Sequence, residues 1–471
     1  MVEGLRTGRG REGRPSAIVT GVPVRGVIAH DELTQSHACG LYTWLAPARA
    51  PAMWIGRARG CQIRPCDCPS ARLVVSTACP ALRGIAYCYH VWRETNHCGA
   101  LGGAHASEKD VLWQKGSTSR SSLGGTSSEH DVSLRSAANV IGLLSERVDL
   151  TLVGITRGGS WLLYGGDAAA IADDSWQGHD VTPVCAVPGD GGGLFAVEGG
   201  SPVRLPIDVV FPVLHGQGGE DGVTQGLLES CRLPYVDCGV LSSALCTDKD
   251  AAHRIVAAAG IRSPRCEVVH PGDGAARIAE VAAACGYPLF VKPARGGSSY
   301  GVSKVEGPEQ LDEALRLAFG YDEKVAVEEA IVGTEVGCAI MGGAAGELAM
   351  GLVDETVVSD GGFFHIHQDH SEGADASTRN SSTRCPALLP PEVMERVRET
   401  GTAVWRALGC SGLARVDLFV TERGEVVFNE VNTMPGLTSY SRFPAMMAAA
   451  GADMGEVLER LVRSAARTGA R

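Results

Sequence analysis

At 471 residues the chain is long enough for several domains and a large core, and its 44% hydrophobic and 20% charged content suits a soluble globular enzyme. No uninterrupted apolar run of about 18 residues offers a membrane span. The net charge of −12 hides an asymmetry: residues 1–120 hold 15 Lys and Arg against 8 Asp and Glu, leaving the acidic excess to the remainder. The basic part has no aromatic interleaving and no clean basic stripe, so a nucleic-acid partner is not expected.

Residues 1–121 show no sustained helical or strand periodicity and are expected to be an irregular or disordered extension, or translated upstream DNA. Seven of the 16 cysteines lie here. Cys61, Cys66 and Cys68 near His90 and His97 lack the second short-spaced pair of a structural zinc site. The other cysteines follow no framework spacing, which fits reduced cytoplasmic thiols. The basic start is not followed by the compact apolar segment of a signal peptide.

Order is expected to begin at residue 122, opening a substrate domain over 122–244. The Gly124-Gly125 turn, Ser127 or Ser128 as N-cap and apolar residues at helical spacing predict a helix. TLVGITRGGSWLL (151–163) has strand character. IDVVFPVL followed by HGQGGEDGVTQGLLE (207–229) predicts strand, glycine loop and helix, with a ligand loop at the carboxyl end of a parallel strand.

A central domain is expected over 245–345. DKDAAHRIVAAAGI (248–261) predicts a helix, and EVAAACGYPLFVKPARGGSSYGVSKV (280–305) predicts helix, strand, loop and strand. Two further strands are expected within 323–342. Lys292 ends an apolar strand before a Gly-Ser loop, where backbone N–H groups approach phosphate oxygens and the lysine supplies a point charge.

The last domain, 346–471, opens with a long polar loop, 361–383, of the length used for lids. It closes with one amphipathic helix over 446–462. Between them lies RVDLFVTERGEVVFNEVNTMPG (415–436). A two-residue turn at Arg423-Gly424 would pair Asp417 with Glu430 and Arg415 with Asn432 on one face. Opposed carboxylates repel unless a cation lies between them, and oxygen donors beside a phosphate loop suit Mg2+ or Mn2+. The pairing predicts a metal-nucleotide platform flanked by an arginine.

Together GGTSSEHDVS, HGQGGEDGVTQGLLE, LCTDK, FVKPARGGSSYGV, VEEAIVGTE, ARVDLF and NEVNTMPGLTSYS resemble, in order, the D-alanine:D-alanine ligase family of ATP-grasp enzymes. The resemblance covers about 123–462. It implies an α/β ATP-grasp fold of three domains with an N-terminal parallel sheet, ATP and Mg2+ as cofactors, and a homodimer in the cytoplasm. By the same resemblance, Lys249 and Lys292 would bind nucleotide phosphates, Glu328 to Ile331 would form the adenine hinge, and Glu335 would hold the ribose. Asp417, Glu430 and Asn432 would bind the metal. Glu129 and Ser298 would hold D-alanine, and Arg415 with the Gly436 backbone would stabilise the tetrahedral intermediate. His215 and Ser441 are assigned to substrate binding, Ser441 at the second substrate's carboxylate.

In the lid, FFHIHQ (363–368) resembles the FFRIHQ or IFRIHQ of vancomycin-resistance D-alanine:D-lactate ligases, whose selectivity histidine falls on His367. SYSRFPAMMAAAG (439–451) resembles the same subgroup. An imidazolium repels the ammonium of D-alanine and attracts D-lactate, so the expected product is D-alanyl-D-lactate, with D-alanine and D-lactate as substrates. Rival readings are D-alanyl-D-alanine or D-alanyl-D-serine synthesis, and an inactive nucleotide-binding homologue. Two positions depart from the family. His365 replaces an arginine, and the first strand, normally apolar, is replaced by GSTSRSSLGG. Polar Ser and Arg are not expected to fill a central buried strand, so either another part of residues 1–120, such as Val111 to Trp113, supplies it, or the domain is weakened.

Overall fold

The computed structural model describes residues 118–297, 299–343, 346–358 and 381–469. Among them lie β1 (Thr118–Gly124), α1 (His130–Leu144), β2 (Asp149–Ile155), β3 (Trp161–Tyr164), α2 (Ala168–Ala172), β4 (Val181–Val187), β5 (Gly193–Glu198), β6 (Ser201–Arg204) and β7 (Val209–Val213). The seven strands form one sheet in the order β6-β5-β4-β3-β2-β1-β7. Only β2, β1 and β7 are parallel; β3 to β6 extend the sheet as an antiparallel meander. The segment expected as one strand over 151–163 is broken by a turn, closed by Thr156 and Ser160, into β2 and β3.

The polar stretch Thr118–Gly124 does occupy the central position between β2 and β7, correcting the expectation that it could not. The parallel ladder is made by backbone N–H and C=O groups, which every non-proline residue carries. Val111 to Trp113, the other expected source, and the 61–97 Cys/His cluster lie outside the described residues. The expected Ser127 or Ser128 cap is also corrected. Glu129 is the N-cap of α1, and its side chain does not cap the helix; Ser127 Oγ instead accepts from Glu129 N and donates to His215 O, joining the two loops.

Next come α3 (Val223–Ser230), α4 (Val240–Thr247), α5 (Lys249–Ala258), β8 (Cys266–Val269), α6 (Ala275–Cys285), β9 (Leu289–Pro293), β10 (Ser303–Val305), α7 (Leu311–Phe319) and β11 (Val325–Glu329). The four strands form an antiparallel sheet, β10-β9-β11-β8. Leu289, Val291, Val325 and Val327 pack against apolar residues of α6 and α7.

The remainder comprises β12 (Gly333–Gly342), β13 (Leu348–Met350), β14 (Asp354–Val358), β15 (Ser381–Arg384), α8 (Pro391–Ala407), β16 (Gly412–Thr421), β17 (Val426–Asn432), α9 (Arg442–Ala449) and α10 (Met454–Thr468). Its antiparallel sheet follows β15-β14-β12-β16-β17, with β13 on β12. Ala414, Val416, Leu418, Val420, Phe428 and Val431 share a core with Val397 and Trp405 of α8. That leaves Arg415 and Asp417 on the opposite face, because strand side chains alternate. The expected single C-terminal helix is two: Gly451, at φ 85°, breaks it, and Asp453 caps α10 by accepting from Glu456 N.

Candidate active site

The β16-β17 hairpin places Asp417 opposite Glu430 and Arg415 opposite Asn432, the expected pairing. It arrives there by a different route. Gly424 N donates to Thr421 O and Thr421 N to Glu425 O, so the loop has three residues, closed by Gly424 at φ 72°. That shifts the outer strand by one, and Leu418 faces Phe428. A bulge at Asn429 returns the lost residue before Glu430.

Asp417, 1% exposed, accepts from Arg415 Nε at 2.8 Å and Nη2 at 2.8 Å and from Asn432 Nδ2 at 2.9 Å. Turning its amide nitrogen toward Asp417 presents the Asn432 oxygen the other way. Across the hairpin, Glu430 Oε2 lies 3.3 Å from Lys249 Nζ. Burial would raise the Glu430 pKa, but Lys249, Lys292 and Arg415 outweigh it and hold the carboxylate ionised. Two carboxylates and an amide oxygen at facing positions form a hard, all-oxygen donor set that fits Mg2+ or Mn2+.

Lys249 opens α5 and donates to Gly296 O at 2.9 Å, tying the glycine loop to the hairpin. Lys292 on β9 donates to Glu328 Oε2 at 2.6 Å. Burial acts to raise the Glu328 pKa, yet Lys292 and His253 pull it far below the carboxylate range. Burial likewise acts against the Lys292 charge, and Glu328 more than restores it. Glu328 is the penultimate residue of β11 and Ile331 lies in the short link to β12, joining the second sheet to the third. Glu335 is on β12, its carboxylate 2.9 Å from Arg442 Nη1.

Glu129 stands at the mouth of the loop cluster: a Cβ on Gly297 would lie 2.8 Å from its Oε1, and one on Gly216 would lie 3.6 Å from its Cδ. Both glycines are therefore places where the chain approaches Glu129 closely. His215 lies beneath this surface, 4% exposed, with Nδ1 at 2.9 Å from Met434 O and Nε2 at 2.8 Å from Ser136 Oγ. Burial lowers its pKa, favouring the neutral ring. Neutral His215 then donates from Nδ1 and accepts at Nε2, so it positions the 433–437 segment rather than facing a ligand with a spare nitrogen. Leu437 N also bonds Ser136 Oγ, and Asn139 Nδ2 donates to Leu437 O at 2.7 Å. Gly436 sits against Ser441, whose hydroxyl a Cβ there would meet at 2.7 Å; Ser441 Oγ bonds Thr438 Oγ1 at 2.6 Å. Ser298 and His367 lie outside the described residues.

Arg442 was not singled out by the sequence. It grips Asp354 through Nε at 2.8 Å and Nη2 at 2.9 Å and comes within 3.6 Å of Asp417. It thus joins the first turn of α9 to β12, β14 and β16. In the sequence it is one arginine in SYSRFP, which has no meaning until β14 is placed. Gly337 lies under this pair: a Cβ would stand 2.6 Å from Asp354 Oδ1 and 2.7 Å from Arg442 Nη2.

Residues 122–238 match the family model described as the D-ala D-ala ligase N-terminus, and residues 255–463 match the D-ala D-ala ligase C-terminus. The chain belongs to the D-alanine:D-alanine ligase family. A Streptomyces coelicolor protein provisionally named D-alanine–D-lactate ligase is 48% identical over 355 residues, covering 74% of this chain and 96% of that one. The vancomycin B-type resistance protein VanB of Enterococcus faecalis is 42% identical, covering 72% of this chain and 96% of its own. The crystal structure of the VanG D-Ala:D-Ser ligase from Enterococcus faecalis aligns with TM-score 0.68 at 40% identity, covering 75% of this chain and 100% of that one. The fold is the ATP-grasp fold of these ligases, and the family is one of ATP-dependent enzymes. Among the described residues no helix is long and apolar enough to cross a membrane.

Proposed function

We propose that this member of the D-alanine:D-alanine ligase family joins D-alanine to D-lactate at the expense of ATP, making a peptidoglycan precursor that glycopeptide antibiotics bind poorly. The observation that carries the chemistry is the facing of Asp417, Glu430 and Asn432 beside Lys249 and Lys292. The D-lactate preference is supported by the FFHIHQ lid sequence and by the name of the Streptomyces coelicolor relative.

In this reading Lys249 and Lys292 bind the nucleotide phosphates, and the Glu328–Ile331 link seats adenine next to Glu335. Asp417, Glu430 and Asn432 hold Mg2+, which when bound supplies charge neutralisation at the transferring phosphate. Glu129 and Ser298 orient D-alanine, whose carboxylate oxygen attacks the γ-phosphorus and releases ADP, forming an acyl phosphate. The D-lactate hydroxyl then attacks the acyl carbon, losing its proton, and inorganic phosphate leaves. Arg415 and the Gly436 N–H face the oxyanion of the tetrahedral intermediate, while Ser441 binds the second substrate's carboxylate. His215 and Ser136 hold the 434–437 backbone in place for both tasks. Water would destroy the acyl phosphate, so the 361–383 segment carries the lid function.

The deciding experiment supplies ATP, Mg2+, D-alanine and D-lactate together at about pH 6, 7.5 and 9 and separates ester from dipeptide, bracketing histidine titration near about 6.5. Ester excess at the two lower values, yielding to dipeptide as His367 loses its proton, is expected. Dipeptide at every pH would reassign the chain to D-alanyl-D-alanine synthesis. Substituting D-serine tests the activity named for VanG.

A further inference from the structure

Behind the Lys292–Glu328 pair, Glu328 meets two side chains from other elements, His253 and Cys266, that have no part in the ligase chemistry. Cys266 on β8 is the direct cross-strand partner of Glu328 on β11, so their side chains share one face. His253 on α5 closes the group: Nε2 lies 3.2 Å from Glu328 Oε1, and its Nδ1 lies 2.6 Å from Ser263 Oγ. The ring is further fixed edge-on against Phe428, 5.2 Å between centroids. One ligand atom from each of His253, Cys266 and Glu328 lies within 4.8 Å of the others.

We propose that His253, Cys266 and Glu328 form a three-ligand site for a thiophilic divalent cation such as Zn2+, separate from the all-oxygen face on β16 and β17. Tetrahedral zinc with bonds of about 2.0 to 2.3 Å sets its ligand atoms about 3.3 to 3.6 Å apart. The His253–Glu328 separation is already at that edge, and only the thiol must draw in. A donor-set mixture of imidazole, thiolate and carboxylate selects zinc over magnesium. Ser263 holds the distal ring nitrogen, as an outer partner of a metal-bound histidine does. Because β8 is an edge strand and Cys266 is only partly buried, the ion can approach from that side. Binding replaces the thiol proton with the metal and releases that proton to solvent.

The ion would also neutralise the carboxylate that holds Lys292. On the function proposed above, it therefore opposes nucleotide binding.

The test titrates Co2+, as a spectroscopic probe, into the purified full chain without ATP or Mg2+, so that it does not depend on the ligase reading. The parent is expected to show one equivalent of sulfur-to-cobalt charge transfer that Cys266→Ser lacks. Differencing the two removes the contribution of other thiols. His253→Gln should lose the same equivalent, and Ser263→Ala should weaken Zn2+ competition for it by about 10- to 100-fold. Identical spectra and stoichiometry in parent and Cys266→Ser would overturn the site. In a second arm Zn2+ should raise the KM for ATP in the parent and not in Cys266→Ser, whose metal-free rate matches the parent. An unchanged KM with cobalt-detected binding intact would overturn the antagonism alone.

Discussion

Lys249 Nζ bridges Glu430 Oε2, at 3.3 Å, and the carbonyl oxygen of Gly296, at 2.9 Å, so one ammonium joins the phosphate loop to the metal-binding strand. Glu430 is about one-third exposed, so the pair itself adds less than about 1 kcal/mol to stability. Lys249→Met should accordingly melt close to the parent while raising the KM for ATP at least about tenfold, the loss of one charged contact to phosphate. ADP release measured against ATP concentration, with a melting curve alongside, checks both halves. A large fall in Tm with an unchanged KM would make the lysine a structural strut.

Gly337 is the position where any side chain collides with the Asp354–Arg442 pair. Gly337→Ala should cost about 1–3 kcal/mol, as overpacked sites do, and it should slow turnover because Asp417 Oδ1 is only 3.2 Å from the same Cβ position. Urea unfolding and turnover on one preparation provide the comparison.

Arg442 lies half-buried among Asp354, Glu335 and Asp417. Burial would lower its pKa, but these acids raise it well above the ordinary value, so it stays charged. Arg442→Met leaves the buried Asp354 carboxylate without its bidentate partner and should cost about 3–5 kcal/mol. Arg442→Lys restores the charge without the planar fork, so its midpoint in urea should fall between the two. Equal midpoints for Met and Lys would show that charge compensation is not what the site needs.

His215 gives a pH signature. Burial depresses its folded-state pKa, so as pH falls through about 6.5 the unfolded chain gains a proton that the folded chain refuses. Its stabilising share is therefore complete above that value and is lost as pH falls toward the folded-state value. In His215→Asn the fall in Tm between about pH 7 and 5 should be shallower than in the parent. A parallel slope would assign the titration to another group.

Much of the site was legible because the chemistry sits at periodic positions. The alternation of Arg415, Asp417, Glu430 and Asn432 marked one face whatever the turn did, and the helix over 248–261 and the strands around Lys292 followed local pattern. The first strand is not legible from side-chain polarity, because backbone pairing on both sides is what places Thr118–Gly124. The helix break at Gly451 was missed because the apolar repeat continues across it. Arg442 and the His253–Cys266–Glu328 group depend on strands brought together from distant parts of the chain, which no local spacing encodes.

The bulge at Asn429 changes how β17 can respond to insertions and deletions. Phe428 lies in the core beneath α8 while Glu430, two residues on, belongs to the opposite face, a change of side that an unbroken strand forbids. Removing Asn429 would leave Phe428 against Leu418 and Glu430 against Asp417, and the strand would simply become regular. Removing Val431 would carry Asn432 into the core and turn an oxygen donor away from Glu430. A length change at 429 is therefore silent in phase, whereas the same change two residues later inverts the strand's chemistry.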